Sequence, residues 1–128
     1  ALKEYLAQYP DIQLILDVHR DALEDKAGHQ YKVVTREDPD CAQVSLVMGS
    51  SWEGWQENLK FAVAVQQHLT ERYPTLMRPL TLRNSDYNEY FTPGGLLVEI
   101  GAAGNSLDEA LKAVRVFGEG FAEVVTGK

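Results

Sequence analysis

Apolar positions along this chain follow two rhythms. Short continuous or alternating runs have the look of strands, and longer stretches repeat at helical spacing, so the pattern predicts an α/β domain. Leu2, Leu6 and Tyr9 form one helix face that Pro10 stops. Leu14–Asp21 and Leu96–Gly101 are apolar runs that read as buried strands. Tyr31–Arg36 and Ala42–Met48 read as a hairpin closed by the acidic turn Glu37-Asp38-Pro39-Asp40. Ser50-Ser51-Trp52-Glu53 has the S-x-x-E capping pattern, and Trp55, Leu59, Ala62, Val63 and Leu69 continue the apolar face of a long helix ended by Tyr73-Pro74. Ser106-Leu107-Asp108-Glu109 repeats the cap, and Leu111, Val114, Phe117, Phe121 and Val124 give the closing helix its core face. Gly118 and Gly120 each weaken that helix by about 1 kcal/mol unless a neighbour needs a close approach. Thr81–Gly95 has no period and reads as a loop long enough to be functional. With no linker or repeat, residues 1–128 form one domain, a mixed sheet with helices on both faces.

Composition narrows the function without naming it. The 128 residues are 45% hydrophobic, enough for a real core. A formal net charge of -7 argues against a nucleic-acid partner, since phosphate binding is driven by clustered Lys and Arg. No apolar stretch approaches the roughly 18 to 20 residues that span a bilayer, and no basic start precedes an apolar leader core. The lone Cys41 excludes an intrachain disulfide and a cysteine zinc cluster, and reads as a small hairpin residue.

Both apolar runs carry chemistry near their ends. Alternation along Leu14–Asp21 points Asp17, His19 and Asp21 one way and Val18 and Arg20 the other, so an imidazole sits between carboxylates. A salt-bridged histidine, a metal ligand and an acid/base residue all answer to that description. Glu99 is out of place in its run. Its desolvation calls either for a cationic partner or for a raised pKa suited to a general base. His29, in a polar turn, and His68, late in a helix, lack metal-ligand spacing and read as solvated.

The order LILDVHRDA, GSSWEGWQENLKFA, RYPTLMRP and YNEYFTPGGLLVEIGAAGNSLDEA resembles the stage II sporulation protein P family, from Tyr5 to about Val125. That family comprises bacterial cell-wall hydrolases related to zinc-dependent N-acetylmuramoyl-L-alanine amidases. The resemblance implies a zinc-amidase-like fold in which two histidines and a glutamate hold zinc and a further glutamate is the catalytic base. By resemblance His19 matches the second zinc histidine and Glu99 the base. Tyr87 and Asn88 match a Tyr-Asn pair, Asn58 matches the family's asparagine with a helix-to-loop tether as its expected role, and Glu89 stands where glutamine is expected. Arg20 and Asp21 are candidates to orient His19.

The family's opening strand carries a pattern like His-Thr-His, with the zinc glutamate a few residues on, and nothing like it precedes His19. The chain therefore reads as the C-terminal part of an amidase domain, lacking the N-terminal strands and having an incomplete zinc site, inactive by itself. The resemblance further implies peptidoglycan as substrate, a sporulation lytic transglycosylase as partner, and a parent protein anchored in the membrane and working outside the cytoplasm of a spore-forming bacterium. Two other classes stay open. One is a non-catalytic wall-binding or assembly fragment. The other is a metal-free hydrolase pairing Asp17 or Asp21 with Glu99. Trp52 and Trp55 invite carbohydrate stacking, but their helical spacing fits core and helix entry.

Overall fold

The computed structural model describes residues 1–127. In chain order the elements are α1 (Leu2–Gln8), β1 (Leu14–Asp21), β2 (Val44–Gly49), α2 (Trp55–Arg72), β3 (Thr81–Arg83), a 3-10 turn (Glu89–Phe91), β4 (Gly94–Ala102) and α3 (Leu107–Thr126). The strands form one sheet in the order β1-β4-β2-β3, parallel between β1 and β4, antiparallel between β4 and β2, and parallel again between β2 and β3.

Alternation in the two central strands builds the core. Val44, Leu46 and Met48 of β2 and Leu96, Val98 and Ile100 of β4 are buried against Ala62, Val65 and Leu69 of α2 and Ala113, Phe117 and Phe121 of α3. Each large side chain so removed from water contributes about 1.5 to 3 kcal/mol. The α/β mixed sheet is as the sequence predicts, with two differences: the His19 strand, expected to be buried, is an edge strand whose Leu14, Leu16 and Val18 are exposed, and the long helices do not cover both faces. The two long helices share this face and pack on each other, while α1 buries no residue. The opposite face carries Asp17, His19, Asp21, Glu99 and Arg83. An apolar helix laid over those charges would desolvate them without return.

Helix positions depart from the sequence reading by a fraction of a turn. The buried stripe of α2 is Asn58, Ala62, Val65 and Leu69, and Val63 faces solvent. In α3 the stripe is Ala113, Phe117, Gly120 and Phe121, leaving Leu111 and Val114 exposed. Gly120 is where the helices meet. A Cβ there would lie 2.1 Å from Leu69 Cδ2, whereas one on Gly118 would meet nothing within 4 Å.

The two caps behave differently. Ser106 and Glu109 form a complete capping box at α3. Ser50 does not cap α2, because its backbone N–H and its hydroxyl both donate to the Arg83 carbonyl. That helix starts after Gly54, which takes a left-handed φ of 90°.

The expected hairpin is reduced to one bridge, Val34↔Ala42. Side chains capture the backbone that would have extended it. Asn105 bonds both the N–H and the C=O of Val33, and the Thr35 hydroxyl exchanges hydrogen bonds with the backbone of Asp38. Cys41 is buried beside that bridge, and burial pushes its thiol pKa up. Conversely, Thr81–Gly95 holds a strand where the sequence shows none. Thr81, Leu82 and Arg83 pair with Val47, Met48 and Gly49, a stretch too short to leave a period.

Candidate active site

The site face is built by strand register. In the parallel pair β1 and β4, His19 lies laterally opposite Glu99, and Ser45 of β2 lies opposite Glu99 on the other side. Lateral partners share a face, so the imidazole and the carboxyl project together. The register slips between His19 and Asp21, so that Asp21 pairs with Ala102.

Asp17 is the histidine's partner. Its Oδ1 lies 2.9 Å from His19 Nε2, leaving Nδ1 without a hydrogen bond among the described residues; the His19 side chain is 51% exposed. The other oxygen, Oδ2, accepts from Asn88 Nδ2 at 3.1 Å. The two residues offered by the sequence to orient His19 are not bonded to it among the described residues. Asp21 Oδ2 accepts from Arg78 Nη1 at 2.9 Å, and Arg20 projects to the opposite face of its strand. The extra residue of the slip lies in β4, where Gly101 takes φ 68°, so Asp21 keeps the face of His19 and is engaged there by Arg78.

Glu99 is half-buried, and burial raises its pKa above the ordinary carboxylate value, with Asp21 adding in the same direction. Arg83, Arg78 and His19 pull partly the other way. A carboxyl so tuned holds a proton more readily than a surface glutamate, as a base working near neutrality must.

A loop is clamped against this face. Gly49 and Gly95 supply the room: a Cβ on Gly49 would lie 2.0 Å from the Ser85 carbonyl oxygen, and one on Gly95 would lie 2.7 Å from that of Glu89. From the core side, the buried Asn58 amide donates to the carbonyls of Glu89, Thr92 and Gly95 at 2.8 to 3.0 Å, a helix-to-loop tether. Tyr87, two residues before Glu89, takes φ 49°, a left-handed conformation that costs a non-glycine residue energy and persists only where its surroundings hold it.

Glu89 and Arg78 are the groups whose part here sequence reasoning missed. Glu89 is only 1% exposed. The one hint in sequence is an acid inside the aromatic stretch Tyr87–Phe91. Arg78 lies 57 residues from its partner Asp21, and no local pattern marks it. His29 and His68 make peripheral hydrogen bonds with Asp25 and Glu123, at 2.8 and 2.9 Å. Among the described residues no group of three or more His, Cys, Asp or Glu is placed to hold a metal ion. No helix among them is long and apolar enough to cross a membrane.

The fold is similar to that of two amidases of known structure. The chain superimposes on the CwlD amidase of Clostridioides difficile, solved in complex with the GerS lipoprotein, with a TM-score of 0.56 at 12% identity, covering 98% of this chain and 61% of that one. It superimposes on the N-acetylmuramoyl-L-alanine amidase AmiC2 of Nostoc punctiforme with a TM-score of 0.55 at 13% identity, covering 95% and 63%. The chain belongs to the stage II sporulation protein P family, whose sequence model matches residues 1–122. It is 28% identical to the stage II sporulation protein P of Bacillus subtilis (strain 168) over 128 residues, 96% of this chain and 31% of that protein. The chain thus spans less than a third of the curated relative it matches.

Proposed function

We propose that this chain carries the catalytic base and one imidazole ligand of a sporulation cell-wall hydrolase, which cleaves the amide between N-acetylmuramic acid and L-alanine in peptidoglycan. The observation that carries the reading is the lateral pairing of His19 with Glu99 on an open, charged sheet face. Glu99 takes the proton of the attacking water and delivers it to the leaving amine, a role its half-buried carboxyl suits. Asp17 fixes the imidazole plane through Nε2. The clamped loop bearing Tyr87 and Asn88 borders the place where glycan or peptide would lie.

The family relationship supports a zinc enzyme, but the described residues do not by themselves fit zinc. A catalytic zinc site takes three protein ligands plus water, and they supply one imidazole with no grouping of three ligands around it. In the complete protein His19 is one ligand and the others come from residues outside these 128. The complete protein works at the envelope of the sporulating cell. The ligand count also favours a second reading for the chain by itself, a wall-binding or assembly fragment without turnover.

The test is cleavage of muramyl-peptide by the full-length protein, read as newly freed L-alanine amino groups with and without a chelator. Chelator-sensitive release supports the zinc amidase. Cleavage that a chelator leaves untouched returns the site to a carboxylate pair, and binding to the glycan without release supports the second reading.

A further inference from the structure

Glu89 is a fully buried acid that the proposed chemistry does not use. Its Oε1 accepts from the Gly49 N–H at 2.8 Å and its Oε2 from the Leu97 N–H at 3.0 Å. The antiparallel ladder between β2 and β4 has its last registered pair at Val47 and Leu97. The carboxyl therefore bridges the two strands where their own pairing stops. Among the described residues no Lys, Arg or His pairs with it. A buried acid held by two neutral donors is costly. Both of its oxygens act as acceptors, a pattern that an amide cannot reproduce, since its nitrogen would turn a donor toward one of the two N–H groups.

The position of the bridge gives it a consequence. Asn88 is the residue just before it in the chain, and its amide holds Asp17, which holds His19. On the other side Leu97 is two residues before Glu99 on the same strand. The carboxyl of Glu89 thus ties together the loop that reaches the histidine and the strand that bears the base.

We propose that Glu89 is a positioning residue, whose bridge from Gly49 to Leu97 sets the Asn88–Asp17–His19 relay and hence the orientation of the His19 imidazole beside Glu99. This rests on the reading of His19 and Glu99 as one site, and the test separates the two ideas.

In the full-length protein, Glu89→Gln keeps the side-chain volume and places an NH2 group against one of the two backbone donors. Amide hydrogen exchange should quicken by about five- to a hundredfold in the segments around Asn88 and around Asp17–His19, the factor that one unsatisfied buried donor is worth, with α3 unchanged. Muramyl-peptide turnover should fall in kcat with KM little changed. Asn88→Ala cuts the relay at an exposed position without touching the bridge, and should reproduce the change at Asp17–His19 and in kcat while exchange at Gly49 and Leu97 stays as in the parent. The idea is overturned if Glu89→Gln quickens exchange uniformly, α3 included, or if either variant leaves the Asp17–His19 segment and kcat as they were. Should the exchange changes appear in a protein whose parent cleaves no muramyl-peptide, the relay stands and the amidase reading falls.

Discussion

His19 and Glu99 are side-by-side partners on two parallel strands, eighty residues apart in sequence and adjacent across one ladder. Parallel neighbours need a crossover connection, and here β2, α2 and β3 lie in the chain between them. A shared face and a fixed spacing follow from the register, so either group can be altered without moving the other's backbone.

In the full-length protein, Glu99→Gln should lower amide cleavage by about 10²- to 10⁴-fold, the usual contribution of a general base, with zinc content and melting temperature close to the parent. His19→Ala should lose both metal and turnover. Metal analysis and a cleavage assay on the same preparations check this, and zinc retained in full after His19→Ala would refute the ligand assignment. The isolated chain of 128 residues should show no turnover.

The acidic limb of the pH–rate profile should follow Glu99. A base must be ionised to act, and burial and Asp21 raise its pKa, so activity should rise with pH through a value above the ordinary carboxylate range. Asp21→Asn should move that limb to lower pH, and Arg83→Gln should move it to higher pH, because they remove a raising and a lowering neighbour respectively. Limbs that stay put in both variants would show that another group sets the profile.

Stability should fall as pH rises across the weakly acidic range. Burial raises the Glu89 pKa from 4.5 to about 7, outweighing the two N–H donors that favour its charge, with Asp17 of β1 the charged neighbour acting against ionisation. The folded state therefore keeps its proton where the unfolded chain has released it. The stabilisation is complete below about 4.5 and is lost as pH passes through about 7, a difference on the order of 3 kcal/mol. Denaturant titrations at stepped pH check this, and Glu89→Gln should flatten the slope. The raised pKa of Glu99 acts in the same sense.

Two glycines on one helix should respond with opposite sign. Gly120→Ala forces a Cβ toward Leu69 Cδ2 and should destabilise by about 1 to 3 kcal/mol. Gly118→Ala meets open space and should stabilise by about 0.5 to 1 kcal/mol through helix propensity. Thermal or denaturant unfolding of the two variants decides it, and a Gly120→Ala protein as stable as the parent would mean that α2 and α3 sit farther apart.

Local pattern carried much of this protein. The apolar runs around His19 and Glu99, the Ser106–Glu109 cap and the long helices were legible because each depends on neighbours within a few residues, where period and capping act. What sequence could not rank was competition between distant partners. Ser50 had a capping pattern but was claimed by Arg83, and Val33 had a strand's composition but was claimed by Asn105. The placing of both long helices on one face, the choice of Asp17 over Asp21 as the histidine's partner and the buried bridge of Glu89 were likewise decided only in the folded chain. Each depends on strand register and on which polar groups lose water together, and those are properties of residues that meet in space.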